Sequence, residues 1–237
     1  MRKRAPLLAG IIISLILMSS CMTSNQSKIH SLQDPKDDPE LVVGDLGVEE
    51  QWQSPNRLRG FSSIPGGQLL DPNGYPLIRQ APNPSIKPLE GSYVENLIQA
   101  AKSYLGTPYI FGSDRTEPSS FDCSDFTRWV FLSLGMDLPW DSRAQAAYVH
   151  AFSDKTYTSL KEAKRGDLLF FSGYRGNHAS DYKGLTPEER PVSHLGIYLG
   201  NGEIIHCASQ KSGGVNIHKL TWRQLDSRFL FGGGIIP

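Results

Sequence analysis

The chain of 237 residues has little cysteine and no net charge. Its 24 basic and 24 acidic residues leave no positive surplus that would favour binding to nucleic acid. The three cysteines, Cys21, Cys123 and Cys207, are too few for a disulfide framework and show no zinc-ligand spacing. The sequence also lacks a glycine-rich phosphate-binding loop. We therefore expect no nucleic-acid partner, no metal and no cofactor, and we look for chemistry at the individual cysteines.

The apolar segment near the N terminus is too short to cross a bilayer comfortably. It begins at Leu7 after three basic residues and ends shortly before Cys21. This order predicts a signal peptide over residues 1–21, and the small residues before Cys21 resemble a lipoprotein cleavage site. Cys21 would then carry a lipid (palmitate) anchor in the membrane; the alternative is an ordinary secretory signal with a cysteine there by chance. Because Met22 follows, and not Asp, we expect an exported protein anchored in the outer membrane and facing the periplasm.

Residues 22–88 show little apolar periodicity and are rich in Pro, Asn, Ser and Gln. This composition predicts a mostly irregular tether, with a small subdomain within residues 41–80 as the alternative. Residues 89–237 are then long enough for one folded domain.

Cys123 stands where a polar loop gives way to an amphipathic helix. Phe126 and Val130 follow it at helical spacing. Asp122 is placed to cap this helix, with Asp125 at the third helical position. The sulfur would lie in the first turn, where unpaired N–H groups and the helix dipole favour a thiolate. Since the dipole supplies only about 0.3–2 kcal/mol, an activated thiol also needs a neighbouring cation.

Two histidines lie in neighbouring predicted strands, joined by a hairpin signal at residues 200–202. A two-residue turn would pair Ile197 with His206 and place His194 and His206 on opposite faces. A three-residue loop would pair Ile197 with Ile205 and place both histidines on one face, with the apolar side chains on the other. We predict the second register because it separates the polar from the apolar side chains.

Together these residues predict a site for nucleophilic catalysis. Cys123 would be the nucleophile, and His194 the base that takes its proton. His206 would orient the His194 ring through a hydrogen bond. Cys207 alternates away from His206 on its strand and is predicted to be a buried, apolar residue.

Six short runs occur in a fixed order within residues 92–237. They are Tyr104-Leu105-Gly106-Thr107-Pro108-Tyr109, Phe121-Asp122-Cys123-Ser124, Leu138-Pro139, Gln145, Arg165-Gly166-Asp167-Leu168-Leu169-Phe170-Phe171, and the strands of His194 and His206. With these runs in this order, the chain resembles the NlpC-type cell-wall peptidases, a papain-like group. Any single run would be a weak signal, whereas their shared order is specific.

The resemblance implies an endopeptidase that cleaves peptidoglycan stem peptides, typically between D-glutamate and diaminopimelate, without a metal. It also implies that Tyr109 lines the site near the oxyanion. The candidate site residues are the catalytic Cys123, His194 and His206, with Tyr109, Asp122 and Ser124 at the substrate or the oxyanion. One alternative is an amidase or acyltransferase that acts on another envelope amide. A second alternative is a wall-binding lipoprotein without catalysis.

Two departures from the family pattern bear on substrate preference. Asp125 stands where the family usually has Gly, and Trp140 stands where it has Arg. Asp125 would raise the pKa of the thiol slightly or meet a cationic group of the substrate. Trp140 would form an aromatic wall.

The order of the elements, helices first and strands afterwards, predicts an α+β fold. Helices are expected over residues 92–105, from Cys123 onward, and from Ser142, which is capped with Gln145. They would pack on a mainly antiparallel sheet of about five strands, at residues 167–172, 194–199, 203–208, 215–219 and 229–233. Residues 173–191 form a polar loop that would rim the cleft, with His178 in solvent. His30, His150 and His218 have no partner that the sequence identifies.

Overall fold

The computed structural model describes residues 38, 40–41, 62–186 and 189–237, which belong to one compact unit of the chain, residues 32–237. The predicted signal peptide, Cys21 and His30 lie outside the described residues, so export and lipidation stay predictions. Within the described ranges, no helix is long and apolar enough to cross a membrane.

The described chain contains four α-helices, three of them before the main strands. They are α1 (Tyr93–Ser103), α2 (Cys123–Leu132), α3 (Ser142–Phe152) and the short α4 (Leu225–Arg228). The three long helices confirm the predicted helices, with α1 slightly shorter than residues 92–105.

The helix caps follow the sequence with one difference. The Ser92 hydroxyl caps α1, and Glu95 in its first turn binds Arg165 at 2.7 and 2.9 Å. The predicted cap of α3 at Ser142 is wrong. Asp141 caps this helix, because its carboxylate accepts hydrogen bonds at 2.9 Å from the N–H groups of Arg143 and Ala144.

Six strands form one antiparallel sheet, and a small hairpin precedes it. The hairpin pairs β1 (Ser62–Ser63) with β2 (Leu69–Leu70). The sheet contains β3 (Thr156–Tyr157), β4 (Leu168–Phe171), β5 (His194–Gly200), β6 (Glu203–Cys207), β7 (Val215–Lys219) and β8 (Phe229–Gly233), in the order β3-β8-β4-β5-β6-β7. The predicted α+β architecture is confirmed, and β4 to β8 are the five predicted strands. The short β3, which pairs with the end of β8, was not predicted.

The predicted register of the β5–β6 hairpin is confirmed. Ile197 pairs with Ile205, and the ladder shifts only at the loop. Gly200, Asn201 and Gly202 all have positive φ, which two of the three residues adopt without steric cost. Alternation therefore places His194 and His206 on the same face.

The sheet separates two layers of apolar side chains. The helices α1 to α3 pack on the face that carries Leu168, Leu195, Ile197 and Ile205. The opposite face carries Leu169, Phe171 and Ile204, and it packs against the segment around α4. His194 and His206 belong to this second face, at the edge of its apolar cluster.

The described end of the predicted tether lies against the helices. Leu77 is buried in their core. The N–H of Gln80 donates to the Tyr148 hydroxyl at 2.8 Å, and the N–H of Asn83 donates to the Leu134 carbonyl at 2.8 Å. This part of residues 62–88 thus packs on the domain through a buried side chain and backbone hydrogen bonds, while the predicted boundary at residue 88 stays a prediction.

Candidate active site

Cys123 is the first residue of α2. Asp122 precedes it in extended backbone, and its carboxylate accepts a hydrogen bond at 2.8 Å from the N–H of Asp125. This is the cap that the sequence predicted. The cysteine is only 1% exposed, in the first turn of the helix, where the dipole favours the thiolate.

The start of α2 lies at the end of the sheet where β5 begins and β6 ends. The Cys207 thiol, on the last residue of β6, donates to the carbonyl of Phe121 at 3.2 Å. Phe121 also forms a parallel bridge with Tyr109. The segment that leads into Cys123 is therefore bound to β6 on one side and to Tyr109 on the other. Cys207 is buried, as predicted.

His194 and His206 meet on their shared face. Nε2 of His194 lies 2.7 Å from Nδ1 of His206. Burial, followed by the charge of Arg228, holds the pKa of His194 well below its usual range. Burial, followed by the neighbouring His194, lowers the pKa of His206 in the same way. Both rings are therefore neutral near pH 7, and each has one N–H to donate and one nitrogen to accept.

Gly196 permits this close approach of the two strands. A Cβ at position 196 would lie 2.7 Å from the Cβ of His206 and 2.8 Å from the Cδ1 of Ile204. Such contacts are shorter than side-chain carbons tolerate, so a larger residue would displace His206. The glycine is thus a packing requirement of the histidine pair.

His218 continues the line of imidazoles, and sequence reasoning missed it. Its Nδ1 lies 2.9 Å from Nε2 of His206. The His218 ring stacks on Trp222 with centroids 4.0 Å apart and planes 7° apart. Burial, followed by the charge of Arg223, lowers the pKa of His218 to about 4.

Arg228 is a second residue that the sequence did not reveal. Its side chain is 1% exposed, and its Nε donates at 2.8 Å to the carbonyl of Ser172, the residue after β4. Its Nη1 has no hydrogen-bond partner among the described residues. Burial lowers the pKa of Arg228 to about 10, while two tyrosines and Cys123 favour its charged form. The site therefore holds a buried cation whose field reaches both Cys123 and His194.

The candidate substrate residue Asp122 is engaged inside the protein. Its carboxylate binds the Arg115 guanidinium at 2.7 Å and accepts the Ser124 hydroxyl at 3.0 Å. Asp125 is fully buried and accepts the Ser113 hydroxyl at 2.6 Å, and burial raises the pKa of its carboxyl to about 6. Asp125 is thus not open to a substrate, contrary to one of the two expectations for it. The assignment of Asp122 and Ser124 to substrate or oxyanion stays a prediction.

The backbone of Trp140 is hydrogen-bonded to α2, the helix that begins at Cys123. Its carbonyl accepts the Ser124 hydroxyl at 3.1 Å, and its side chain is 64% exposed. The indole forms part of the wall of a cavity of about 580 Å³ between residues 71–80 and 137–148. Trp140 is therefore an exposed aromatic residue in the wall of this cavity, and its predicted effect on substrate preference stays a prediction.

Several further residues lie on the loops next to the strands of the site. Asp38 and Leu41 are buried beside the loops that follow β6 and β4, where they accept hydrogen bonds from Ser209 at 2.7 Å and Tyr174 at 2.8 Å. His178 is exposed, as predicted, next to a short 3-10 helix in the loop of residues 173–191. In the described part of the chain, no group of His, Cys, Asp or Glu side chains is arranged to hold a metal ion.

Residues 106–231 match the model of the NlpC/P60 family, and this stretch contains every candidate site residue of the domain. The chain belongs to the NlpC/P60 family. The resemblance inferred from the short runs is confirmed.

Curated relatives of this family match more than half of the chain. A probable endopeptidase p60 of Listeria innocua is 36% identical over 138 residues, which is 58% of this chain and 24% of that protein. The bifunctional muramidase/DL-endopeptidase CwlT of Bacillus subtilis is 35% identical over 124 residues, 52% of this chain and 32% of that protein. A crystal structure of an NlpC/P60 family protein from Bacillus cereus is 26% identical, covers 75% of this chain and 50% of that one, and has a TM-score of 0.49. The chain spans about a quarter to a third of the length of these curated relatives.

The neutral histidines of this NlpC/P60 domain predict a loss of stability in mild acid. In the unfolded chain, histidines bind protons below about pH 6.5, whereas the folded domain keeps His194, His206 and His218 neutral to lower pH. The unfolded state then binds more protons, so the free energy of unfolding falls as the pH falls from 6.5 towards 4. Asp125 acts with the opposite sign between about pH 6 and 4, because its pKa is raised in the folded state.

We expect the three histidines to outweigh Asp125. Solvent screening reduces the share of His218, which leaves a net loss of about 2 kcal/mol per pH unit near pH 5. Urea denaturation at pH 7, 6 and 5 measures this slope, and His218→Asn should flatten it. A free energy of unfolding that stays constant between pH 7 and 5 would show that the histidines titrate normally in the folded domain.

Proposed function

We propose that the chain is a peptidoglycan endopeptidase in which Cys123, His194 and His206 form a catalytic triad. The observation that carries this proposal is the 2.7 Å contact between the two buried histidines, at the end of the sheet where the helix of Cys123 begins. A base with an orienting partner beside a cysteine at a helix N terminus is the arrangement that thiol catalysis needs.

The contact between the two rings suggests the proton route of this proposal. Because Nε2 of His194 is bound to His206, Nδ1 is the ring nitrogen that takes the thiol proton. The Cys123 thiolate attacks the carbonyl carbon of the amide, and the negative charge on its oxygen is stabilised by N–H groups of the first turn of α2. The C–N bond then breaks, and the amine leaves with the proton from His194. Water attacks the thioester and gives a proton to His194, which passes it to the departing sulfur. The new carboxylic acid and the thiol are thereby released, and His194 is neutral again.

Buried Arg228 supports the first step. A thiolate and an imidazolium are both charged, and burial disfavours each of them. The fixed charge of Arg228 stabilises the thiolate and opposes charge on His194. In this proposal the imidazolium is therefore short-lived, and it passes its proton readily to the leaving amine.

The substrate in this proposal is the stem peptide of peptidoglycan, cut between D-glutamate and diaminopimelate. The support comes from the names of relatives: CwlT is named a DL-endopeptidase, and a protein 30% identical over 142 residues, from Bacillus licheniformis, is named peptidoglycan DL-endopeptidase CwlO. Export with a lipid anchor at Cys21 belongs to the same proposal, since it would bring the domain to the cell wall. Incorporation of labelled palmitate that is lost in Cys21→Ser would test the anchor.

Digestion of purified peptidoglycan tests the substrate. We expect the chain to release fragments whose new N terminus is diaminopimelate and whose new C terminus belongs to D-glutamate, as identified by mass spectrometry. Cleavage at the amide that joins the peptide to the sugar would indicate an amidase. Stem peptides that all remain intact would support a wall-binding protein and contradict the proposal.

A further inference from the structure

His206 has hydrogen-bond partners at both ring nitrogens. Its Nδ1 faces Nε2 of His194 at 2.7 Å, and its Nε2 faces Nδ1 of His218 at 2.9 Å. The His206 ring is 0% exposed, so neither nitrogen is hydrated. A buried N–H without an acceptor is costly, and the proton of this ring therefore resides where an acceptor meets it.

The proposed direction of proton transfer decides which ring nitrogen of His206 carries the proton. If His194 takes the thiol proton at Nδ1, its own proton in the neutral state is on Nε2, and it donates to Nδ1 of His206. The proton of His206 is then on Nε2, where the acceptor that it meets among the described residues is Nδ1 of His218, at 2.9 Å. His218 must in turn be neutral, with its proton on Nε2. The three rings thus form one donor-to-acceptor chain, and each is held in the same tautomer.

We propose that His218 is a positioning residue that holds His206, and through it His194, in the tautomer that catalysis requires. This inference rests on the proposed thiol mechanism. His218 acts by accepting a hydrogen bond and does not touch the reacting atoms.

Trp222 and its turn keep the His218 ring in place. The indole lies parallel to His218 and at right angles to His206, with centroids 5.4 Å apart for the second pair. The turn that follows Trp222 has positive φ at Arg223 and Gln224, neither of which is glycine. Non-glycine residues in this region carry strain, so the surrounding contacts hold the turn in a defined conformation.

The register of β6 and β7 aligns the third ring. Ile204 pairs with His218, and His206 pairs with Asn216. His206 and His218 are therefore diagonal neighbours on one face, at the separation that long or aromatic side chains bridge. The chain of rings consequently runs across three adjacent strands.

Two substitutions of His218 distinguish its role as a hydrogen-bond acceptor from its stacking on Trp222. His218→Phe keeps a ring against Trp222 but removes the acceptor, and we expect kcat to fall on the order of tenfold with KM unchanged. His218→Asn removes the stacking but offers an oxygen near the place of Nδ1, and we expect activity within about threefold of the wild type. His150→Phe is the matched control, because His150 also stacks on an aromatic ring, Phe231, and is outside the chain of histidines.

Nitrogen-15 NMR of the histidine rings gives a readout independent of turnover. In Cys123→Ala, we expect His194, His206 and His218 all to show the Nε2–H tautomer at pH 7. Adding His218→Phe should convert His206 to a mixture, and His218→Asn should restore the single tautomer.

The outcomes distinguish this inference from the proposed function. If the tautomers change as expected but no variant hydrolyses peptidoglycan, the proposed function fails and the positioning role in the ring chain stands. If the wild type is active and His218→Phe alters neither kcat nor the tautomer of His206, the positioning role is refuted. A fall in kcat that is equal for Phe and Asn, with the tautomers unchanged, would refute it as well, since the loss would then follow from packing.

Discussion

Replacement of Cys123 by alanine should abolish the release of stem-peptide fragments from peptidoglycan and leave the fold intact. The sulfur is the atom that attacks, and no neighbouring group replaces it, so we expect a loss of at least about 10⁴-fold in kcat. The side chain is buried, but the substitution removes only the sulfur atom, so it costs little packing compared with truncation of a large core residue. Mass spectrometry of the digest measures the loss, and circular dichroism checks the fold.

Cys207→Ser is the matched control for this loss. Cys207 is also a buried thiol, and burial raises its pKa well above the usual range, so it is a poor nucleophile. Serine keeps a donor for the Phe121 carbonyl. We expect this variant to retain activity. Undiminished hydrolysis by Cys123→Ala, or a complete loss in Cys207→Ser alone, would contradict the assignment of the nucleophile.

The second large effect concerns the ranking of the two paired histidines. His194→Ala removes the group that accepts and returns the proton, and we expect kcat to fall by about 10³-fold. His206→Ala leaves that group present but removes its partner at 2.7 Å, and the loss should be at least about tenfold smaller. Steady-state kinetics on a synthetic stem peptide compares the variants.

His206→Asn is an informative companion to this pair. An amide oxygen can accept from Nε2 of His194, so we expect this variant to be more active than His206→Ala. Equal losses in His194→Ala and His206→Ala would show that orientation of the ring matters as much as proton transfer. A larger loss in His206→Ala would reverse the two roles.

Local patterns were sufficient to predict the two elements that carry the site. The helical spacing after Cys123 and the aspartate before it specify both the helix and its first residue. In the hairpin, the alternation of apolar residues decides between two registers, because a shift by one residue would bury polar side chains. The pairing of Ile197 with Ile205 follows from that argument alone.

Residues that reach the site from distant parts of the sequence could not be predicted from local patterns. The strand of His218 was predicted with its observed limits, but the loop of residues 208–214 leaves its register against β6 open. Once Ile204 is known to pair with His218, the alignment of the third ring follows. Arg228 gave no signal, because a buried arginine looks in sequence like any surface arginine near a helix end. The cap at Asp141 was overlooked because the neighbouring Ser142 has an equally suitable side chain for the same position.

The hydrogen bonds of Asp122 link the durability of this domain to its chemistry. One carboxylate caps the N terminus of α2, binds Arg115 and accepts a hydrogen bond from Ser124, the residue next to the nucleophile. A substitution there would loosen the scaffold and alter the surroundings of the reactive sulfur in the same event. At many other positions, evolution or engineering can change stability and turnover separately. A substitution of Asp122 changes both properties together.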